Sequence, residues 1–183
     1  MDVLPAIIAS GYRIILEKSF SDMQDTNYDK LAIHITDNQE KNYDWDTKQE
    51  NWLKSNPFGY AKWFINQATV SSTKMFSLNE SVQPVPKYQS NKLPLQRVVQ
   101  ILKRHRDIMF DGDDEKPISI IITTLASRAY KKHTNILEAL VNVINDMHNH
   151  IENKYDIDKR IYYKFIGNPV NPAENFADKW IEN

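Results

Sequence analysis

Apolar residues recur every three or four positions through most of the chain after residue 55, which is the spacing of one face of an α-helix. The clearest stripe runs from Leu95 to Met109, with Val98, Val99 and Leu102 on the same helical face. Such faces pack against one another, so the spacing predicts a helical bundle. The predicted helices cover residues 57–68, 95–110, 118–130, 137–151 and 172–180.

Residues typical of helix starts stand where several of these helices begin. The pairs are Asn56 with Pro57, Asn135 with Glu138, and Asn171 with Pro172. The segment 118–130 is ambiguous, because its run of Ile and Thr favours a strand by propensity. Pro117 and the apolar spacing that follows it favour a helix there.

Residues that favour strands are concentrated near the amino end. Short runs rich in Val, Ile and Leu predict strands at residues 3–8, 12–16 and 31–36. Polar segments at 19–30, 37–50 and 71–93 predict connectors. The predicted fold class is therefore α+β and mainly α, a helical bundle with a small amino-terminal β portion. We expect two parts, residues 1–50 and residues 51–183.

Composition limits the classes of partner. The 183 residues include 24 acidic and 23 basic side chains, so there is no overall field for nucleic acid and any anion site must be local. The absence of cysteine excludes disulfides and thiolate metal sites, and fits a cytoplasmic protein. The apolar opening residues lack a basic leader and contain Pro5, so neither a signal peptide nor a membrane span is predicted.

A basic cluster on the 95–110 helix is the first candidate for chemistry. It consists of Lys103, Arg104, His105 and Arg106. Such a run is commonly a solvated helix face. The alternative is a phosphate site, because Ser119 stands near the start of the next helix, where backbone N–H groups and a hydroxyl can hold phosphate opposite a lysine.

Three further groups contain residue types found in metal sites. His148 and His150 fall on different faces of their predicted helix, so we interpret them as surface residues. The acidic run 111–115 lacks the ligand order of a calcium loop and is predicted to be a solvated turn around Gly112. Asp2 opens a predicted buried strand, where a carboxylate is costly unless it is paired or holds a cation. A metal role and an exposed chain start are equally consistent with Asp2.

Five segments together resemble the cGAS/DncV-like nucleotidyltransferases of bacterial anti-phage signalling, which make cyclic di- and oligonucleotides. They occur in the family's order and span nearly the whole chain. The segments are DVLPA at 2–6, SNPFGYAKWF at 55–64, LQRVVQILKRHRD at 95–107, PISIIITTLA at 117–126 and NPVNPAENFADKW at 168–180.

The resemblance implies roles for three residues. Asp2 matches a carboxylate that, with two others, holds two Mg²⁺ (or Mn²⁺) ions as catalyst. Lys103 and Ser119 match residues that contact the phosphates of a nucleoside triphosphate. The implied fold joins a remnant of the catalytic lobe, residues 1–50, to a helical nucleotide-binding lobe, residues 51–183. The implied setting is cytoplasmic antiviral defence through a cyclic nucleotide second messenger.

The family pattern is incomplete here. The sequence has no Gly-Ser turn followed by an Asp-x-Asp pair, since neither Asp44 with Asp46 nor Asp156 with Asp158 follows Gly-Ser. One carboxylate does not organise two hard cations, so we expect the isolated chain to form no phosphodiester bonds. An amino-terminal segment acting in trans is a candidate partner.

Two other functions remain open on the sequence. One is a helical adaptor that binds a protein or a nucleotide without catalysis. The other, nucleic-acid binding through the basic helix, is weakened by the balanced charge.

Overall fold

The protein is described by a computed structural model that covers residues 6–7, 12–22, 25–35, 52–70, 92–113 and 115–180. The chain divides into two compact units, residues 1–63 and residues 64–183. Asp2 lies outside the described residues, so its predicted role is not tested. Within the described ranges, no helix is both long and apolar enough to cross a membrane.

The first unit contains a three-stranded antiparallel sheet in the order β1-β2-β3. Its strands are β1 (Ala6–Ile7), β2 (Ile33–Ile35) and β3 (Leu53–Ser55). The prediction of a strand at 31–36 is thus confirmed, with a short 3-10 helix at Asp29–Leu31 just before it. The strand at 3–8 is described only over Ala6–Ile7.

The predicted strand at 12–16 is wrong, because this segment begins helix α1 (Tyr12–Ser21). Leu16, Ser19 and Phe20 are all buried, and their spacing places them on one side of the helix. Burial of that side outweighs the modest strand preference of a short Ile-rich run.

Helix α2 (Pro57–Ala68) begins as the sequence predicts. The Asn56 Oδ1 accepts a hydrogen bond from the backbone N–H of Gly59 at 2.9 Å, and its Nδ2 donates to the carbonyl oxygen of Tyr28 at 2.8 Å. A Cβ on Gly59 would lie 2.4 Å from the same Oδ1. The cap therefore requires glycine at this position.

A lysine is fully buried within the first unit. Lys62 has 0% of its surface exposed, and its Nζ has no hydrogen-bond acceptor among the described residues. Burial lowers the Lys62 pKa, the positive charge of Lys30 lowers it further, and Asp22 opposes the shift. This ammonium is thus removed from water, and none of the described residues supplies it with a hydrogen-bond acceptor.

Three predicted helices form the core of the second unit. They are α3 (Pro94–Met109), α4 (Ser119–Ala129) and α5 (Ile136–Asp146). Leu95, Val98 and Val99 of the predicted stripe on α3 are buried, but Met109 at its end is 68% exposed. Helix α5 buries Ala139 and Val143, while Leu137 and Ile144, expected to face the core, are exposed. The buried cluster comprises Ala68, Leu95, Val98, Val99, Ala126, Ala129, Tyr130, Ala139 and Val143.

Helix α5 is capped as predicted but changes form at its end. The Asn135 Oδ1 accepts from the backbone N–H groups of Leu137 at 2.8 Å and Glu138 at 3.3 Å. The regular helix ends at Asp146, and the 3-10 helix Met147–His150 continues it. The predicted helix over 137–151 is therefore right in position, with a tighter last turn.

The carboxyl-terminal part of the second unit is β-structure, which the sequence did not predict. Strands β4 (Glu152–Asp156) and β5 (Ile161–Phe165) form one antiparallel pair, and β6 (Gly167–Asn168) and β7 (Asn171–Asn175) form another. The fold class is nevertheless α+β and mainly α, as predicted.

The helix predicted over 172–180 is wrong. Asn175 instead makes three hydrogen bonds to the backbone: its Oδ1 accepts from the N–H groups of Ile166 at 2.8 Å and Ala177 at 3.0 Å, and its Nδ2 donates to the Lys164 carbonyl at 2.9 Å. Phe176, expected on a helix face, is buried in this arrangement. Pairing within the hairpin of β6 and β7 thus prevails over a local signal for a helix start.

Candidate functional site

Arg106 connects the two helices that carry the predicted phosphate residues. Lys103 and Arg106 are one turn apart on α3, so their side chains lie on the same side of that helix. The Arg106 Nη1 donates to the Ser119 Oγ at 3.0 Å and to the Pro117 carbonyl at 2.9 Å. The structure therefore links α3 to the first residue of α4 through a guanidinium group.

The guanidinium is also held from its other side. The Arg106 Nε and Nη2 both donate to one carboxylate oxygen of Asp107, at 2.9 and 2.5 Å. The Arg106 side chain is only 12% exposed, whereas that of Asp107 is 46% exposed. Arg106 is therefore fixed in place by acceptors on both sides.

Lys103 lies in an environment that disfavours its own charge. It is partly buried, and that burial is the main reason its pKa is lowered; the positive charge of Arg106 lowers the pKa further. An anionic group near Lys103 would raise this pKa and so oppose both effects. Binding of an anion would therefore favour the protonated lysine.

Ser119 is exposed at the amino end of α4. The residue before this helix, Ile118, is apolar, and no side chain caps the helix. The first N–H groups of a helix lack partners within it, and they carry a partial positive charge. Arg106 is bonded to Ser119, and Lys103 is one helical turn from Arg106 on α3, so we expect a local electropositive site here on a chain of almost neutral net charge.

The basic cluster of the sequence divides into two pairs. Lys103 and Arg106 are partly buried, and Arg106 is bonded to Ser119 of α4, while Arg104 and His105 are exposed. The solvated-face interpretation therefore fits Arg104 and His105. Thr123, on the next turn of α4, donates through its Oγ1 to the Ser119 carbonyl at 2.9 Å, so it stabilises the helix start.

The described residues offer no group of three or more His, Asp or Glu side chains that could hold a metal ion. His148 is exposed, as predicted for a surface residue. His150 is less exposed than predicted, because its Nε2 is buried 3.8 Å from the Asp146 Oδ2. The run 111–115 includes the predicted exposed turn, with Gly112 at a φ of 74°.

Arg106 is the residue of this site to which the sequence assigned no role. The signal that would have found it is its spacing of three from Lys103, which puts both on one helical face. Its bond to Ser119 joins residues 13 positions apart and depends on how α3 and α4 pack.

Comparison with known proteins gives one curated relative. The chain is 40% identical over 139 residues to a c-di-GMP synthase of Roseivirga ehrenbergii, and the match covers 75% of this chain and 36% of that protein. The matched part of the chain thus spans little more than a third of the relative's length. No protein-family model and no solved structure matches the chain.

Proposed function

We propose that this chain is a portion of a nucleotidyltransferase that joins nucleoside triphosphates into a cyclic dinucleotide, with GTP as substrate and c-di-GMP as product. The observation that carries the proposal is the 40% identity, over 75% of the chain, to a c-di-GMP synthase. The electropositive site of Lys103, Arg106 and Ser119 supports it, since a triphosphate is the most highly charged part of such a substrate.

In this proposal the site binds and orients the triphosphate. The Lys103 Nζ contacts phosphate oxygens, the Ser119 hydroxyl donates to another, and the start of α4 stabilises their charge. Each phosphodiester bond forms when a ribose 3′-hydroxyl attacks an α-phosphate and pyrophosphate leaves; two such steps convert two GTP into c-di-GMP and two pyrophosphates. Holding the triphosphate fixed favours in-line attack.

Mg²⁺ or Mn²⁺ belongs to the complete enzyme in this proposal, where it would neutralise charge on the reacting phosphates. The described residues do not fit such a metal centre, because they contain no suitable group of three ligands. Asp2 remains the proposed metal ligand and catalytic carboxylate on the resemblance alone. We therefore derive no step through a metal ion.

The finer assignment is to the cGAS/DncV-like enzymes of cytoplasmic antiviral defence. It is supported by the five segments and their order along the chain. Because the given sequence contains no Gly-Ser turn followed by Asp-x-Asp, we propose that the 183-residue chain alone makes no product. Formation of c-di-GMP from GTP by this chain with Mg²⁺ or Mn²⁺ would contradict that statement.

Binding of GTP to the 183-residue chain, measured by calorimetry, tests the site directly. Loss of a charge-assisted hydrogen bond costs about 1.5–3 kcal/mol, so Lys103→Ala is expected to weaken binding roughly tenfold or more. Ser119→Ala is expected to weaken it roughly fivefold, as for one neutral donor.

Arg104→Ala is the matched control, since it removes the same charge from an exposed position one residue away. Equal losses of GTP affinity in Lys103→Ala and Arg104→Ala would show that binding depends only on the overall charge of the chain. Absence of GTP binding by the wild-type chain would refute a nucleotide site.

One observation favours the adaptor as a second candidate. Leu137, Val141 and Ile144 lie at helical spacing on α5 and are 68%, 51% and 51% exposed. An apolar helix face of this kind is typical of protein interaction sites. The adaptor function would be supported if the wild-type chain bound no GTP but bound a helical protein partner, and if Val141→Asp abolished binding of that partner.

A further inference from the structure

The bond between Arg106 and Ser119 leaves the hydrogen of the serine hydroxyl available to a ligand. A hydroxyl has one hydrogen to donate and two lone pairs to accept with. The Arg106 Nη1 occupies a lone pair of the Ser119 Oγ at 3.0 Å. In the part of the chain that the structure describes, the Ser119 hydrogen has no acceptor. Ser119 is therefore left as a donor at an exposed position beside cationic groups.

Arg106 itself has little capacity left for a ligand. A guanidinium has five N–H donors. In the described structure four of them are directed to protein acceptors: Ser119 Oγ, the Pro117 carbonyl, and twice the Asp107 carboxylate. With only 12% of the side chain exposed, at most one N–H is left for a phosphate. Its geometry suits a residue that holds others in place.

The same guanidinium influences Lys103. Its positive charge lies near enough to lower the Lys103 pKa, second only to burial as a cause. A bound phosphate would raise that pKa again, so binding favours the protonated lysine. As the pH rises through the lowered pKa of Lys103 in the ligand-free chain, the affinity for a phosphate is expected to fall.

We propose that Arg106 is the positioning residue of the triphosphate site: it presents the Ser119 hydroxyl hydrogen to a phosphate oxygen and fixes the start of α4 beside Lys103. The inference rests on the proposed function. It assigns Arg106 a role that acts through Ser119, and it predicts that the two residues contribute to binding as a pair.

A double-mutant cycle tests the pairing, with GTP as the ligand and calorimetry as the assay. Arg106→Gln is expected to weaken GTP binding about tenfold in the wild-type background. In the Ser119→Ala background the same change is expected to cost less than about threefold, because the hydroxyl that it positions is already gone. Arg106→Lys is expected to restore little, since an ammonium lacks the planar fork that reaches several acceptors at once.

The pH profile supplies a readout that a purely structural role would not change. In Arg106→Gln the Lys103 pKa loses one cause of its lowering, so the fall in GTP affinity at alkaline pH is expected to begin at higher pH. The exposed Arg104→Gln is the matched control and is expected to leave the profile as in wild type. Circular dichroism monitors folding. If Arg106→Gln does not fold, Arg106→Lys in the same Ser119 cycle provides the test.

The outcomes separate the two ideas. If the wild-type chain binds no GTP, the proposed function fails. In the other case the chain binds GTP, with weaker binding in Lys103→Ala. If the losses of GTP affinity in Arg106→Gln and Ser119→Ala are then additive, and the pH profile of Arg106→Gln equals that of wild type, the positioning role is overturned while the nucleotide site stands.

Discussion

Lys132 has two opposing effects on stability that substitution can separate. Its Nζ donates to the carbonyl oxygens of Asn66 at 2.6 Å and Gln67 at 2.5 Å, in the last turn of α2. The last carbonyls of a helix have no partner within it and carry partial negative charge, so this cation stabilises them. The Lys132 backbone has a φ of 61°, in the left-handed region that disfavours residues with a side chain.

The two effects are of similar size. A cation at an exposed helix end, bonded to carbonyls, contributes roughly 1 kcal/mol. The left-handed backbone costs a residue with a side chain roughly 1–2 kcal/mol, and glycine avoids this cost. Glycine also increases the entropy of the unfolded chain, which offsets about 0.5–1 kcal/mol of that gain. Lys132→Ala is therefore expected to lower the free energy of unfolding by roughly 1 kcal/mol. Lys132→Gly is expected to be more stable than Lys132→Ala by roughly 0.5–1 kcal/mol.

Urea unfolding followed by circular dichroism measures the difference. The matched control is Arg160, which has a φ of 55° in the exposed turn after β4. Because this turn has no helix end to cap, Arg160→Gly is expected to stabilise by roughly 0.5 kcal/mol. Wild-type stability in Lys132→Ala would refute the role of the two hydrogen bonds, and equal stability of the Ala and Gly variants would refute the strain.

Two further substitutions test the first unit. Lys62→Met is expected to raise the melting temperature by several degrees, because a buried ammonium with no acceptor among the described residues costs on the order of 1–3 kcal/mol and the apolar stem is retained. The Lys62 pKa in the folded state is below its ordinary 10.5, so the wild-type chain gains stability as the pH rises from the lowered pKa towards 10.5. Thermal melts over this pH range are expected to show a smaller gain in Lys62→Met. Gly59→Ala places a Cβ 2.4 Å from the Asn56 Oδ1, so loss of the cap is expected to cost about 1–2 kcal/mol in urea unfolding. A Gly59→Ala variant as stable as wild type would show that Asn56 caps α2 without needing the space.

The sequence predicts best where a local pattern and the final packing agree. The stripe of Leu95, Val98 and Val99 is buried as a unit, and the caps at Asn56 and Asn135 form because their partners are only two or three residues away. Such features depend on near neighbours. They can therefore be read without knowing the fold.

Features that depend on how neighbouring elements pair or pack were missed or misread. Pro172 follows an asparagine just as Pro57 does, yet Asn175 bonds to Lys164, Ile166 and Ala177 and the segment becomes a strand. Likewise the sequence suggested a phosphate site between the basic cluster and Ser119, and the resemblance assigned it to Lys103 and Ser119, whereas the hydrogen bond from Arg106 to Ser119 depends on how α3 and α4 pack. Local rules do not contain this information.

Helix α4 is enclosed along most of its length, because residues 121–127 and 129 are buried. Water therefore reaches α4 mainly at its first turn. The buried side chains around the rest of the helix have a low permittivity, so they screen its aligned peptide dipoles only weakly. The electrostatic field of these dipoles therefore acts on solvent at the amino end of α4, beside Ser119. Changes in ligand preference are consequently expected to arise at residues 117–120 and on the facing turn of α3, while the enclosed remainder tolerates only side chains of matching volume.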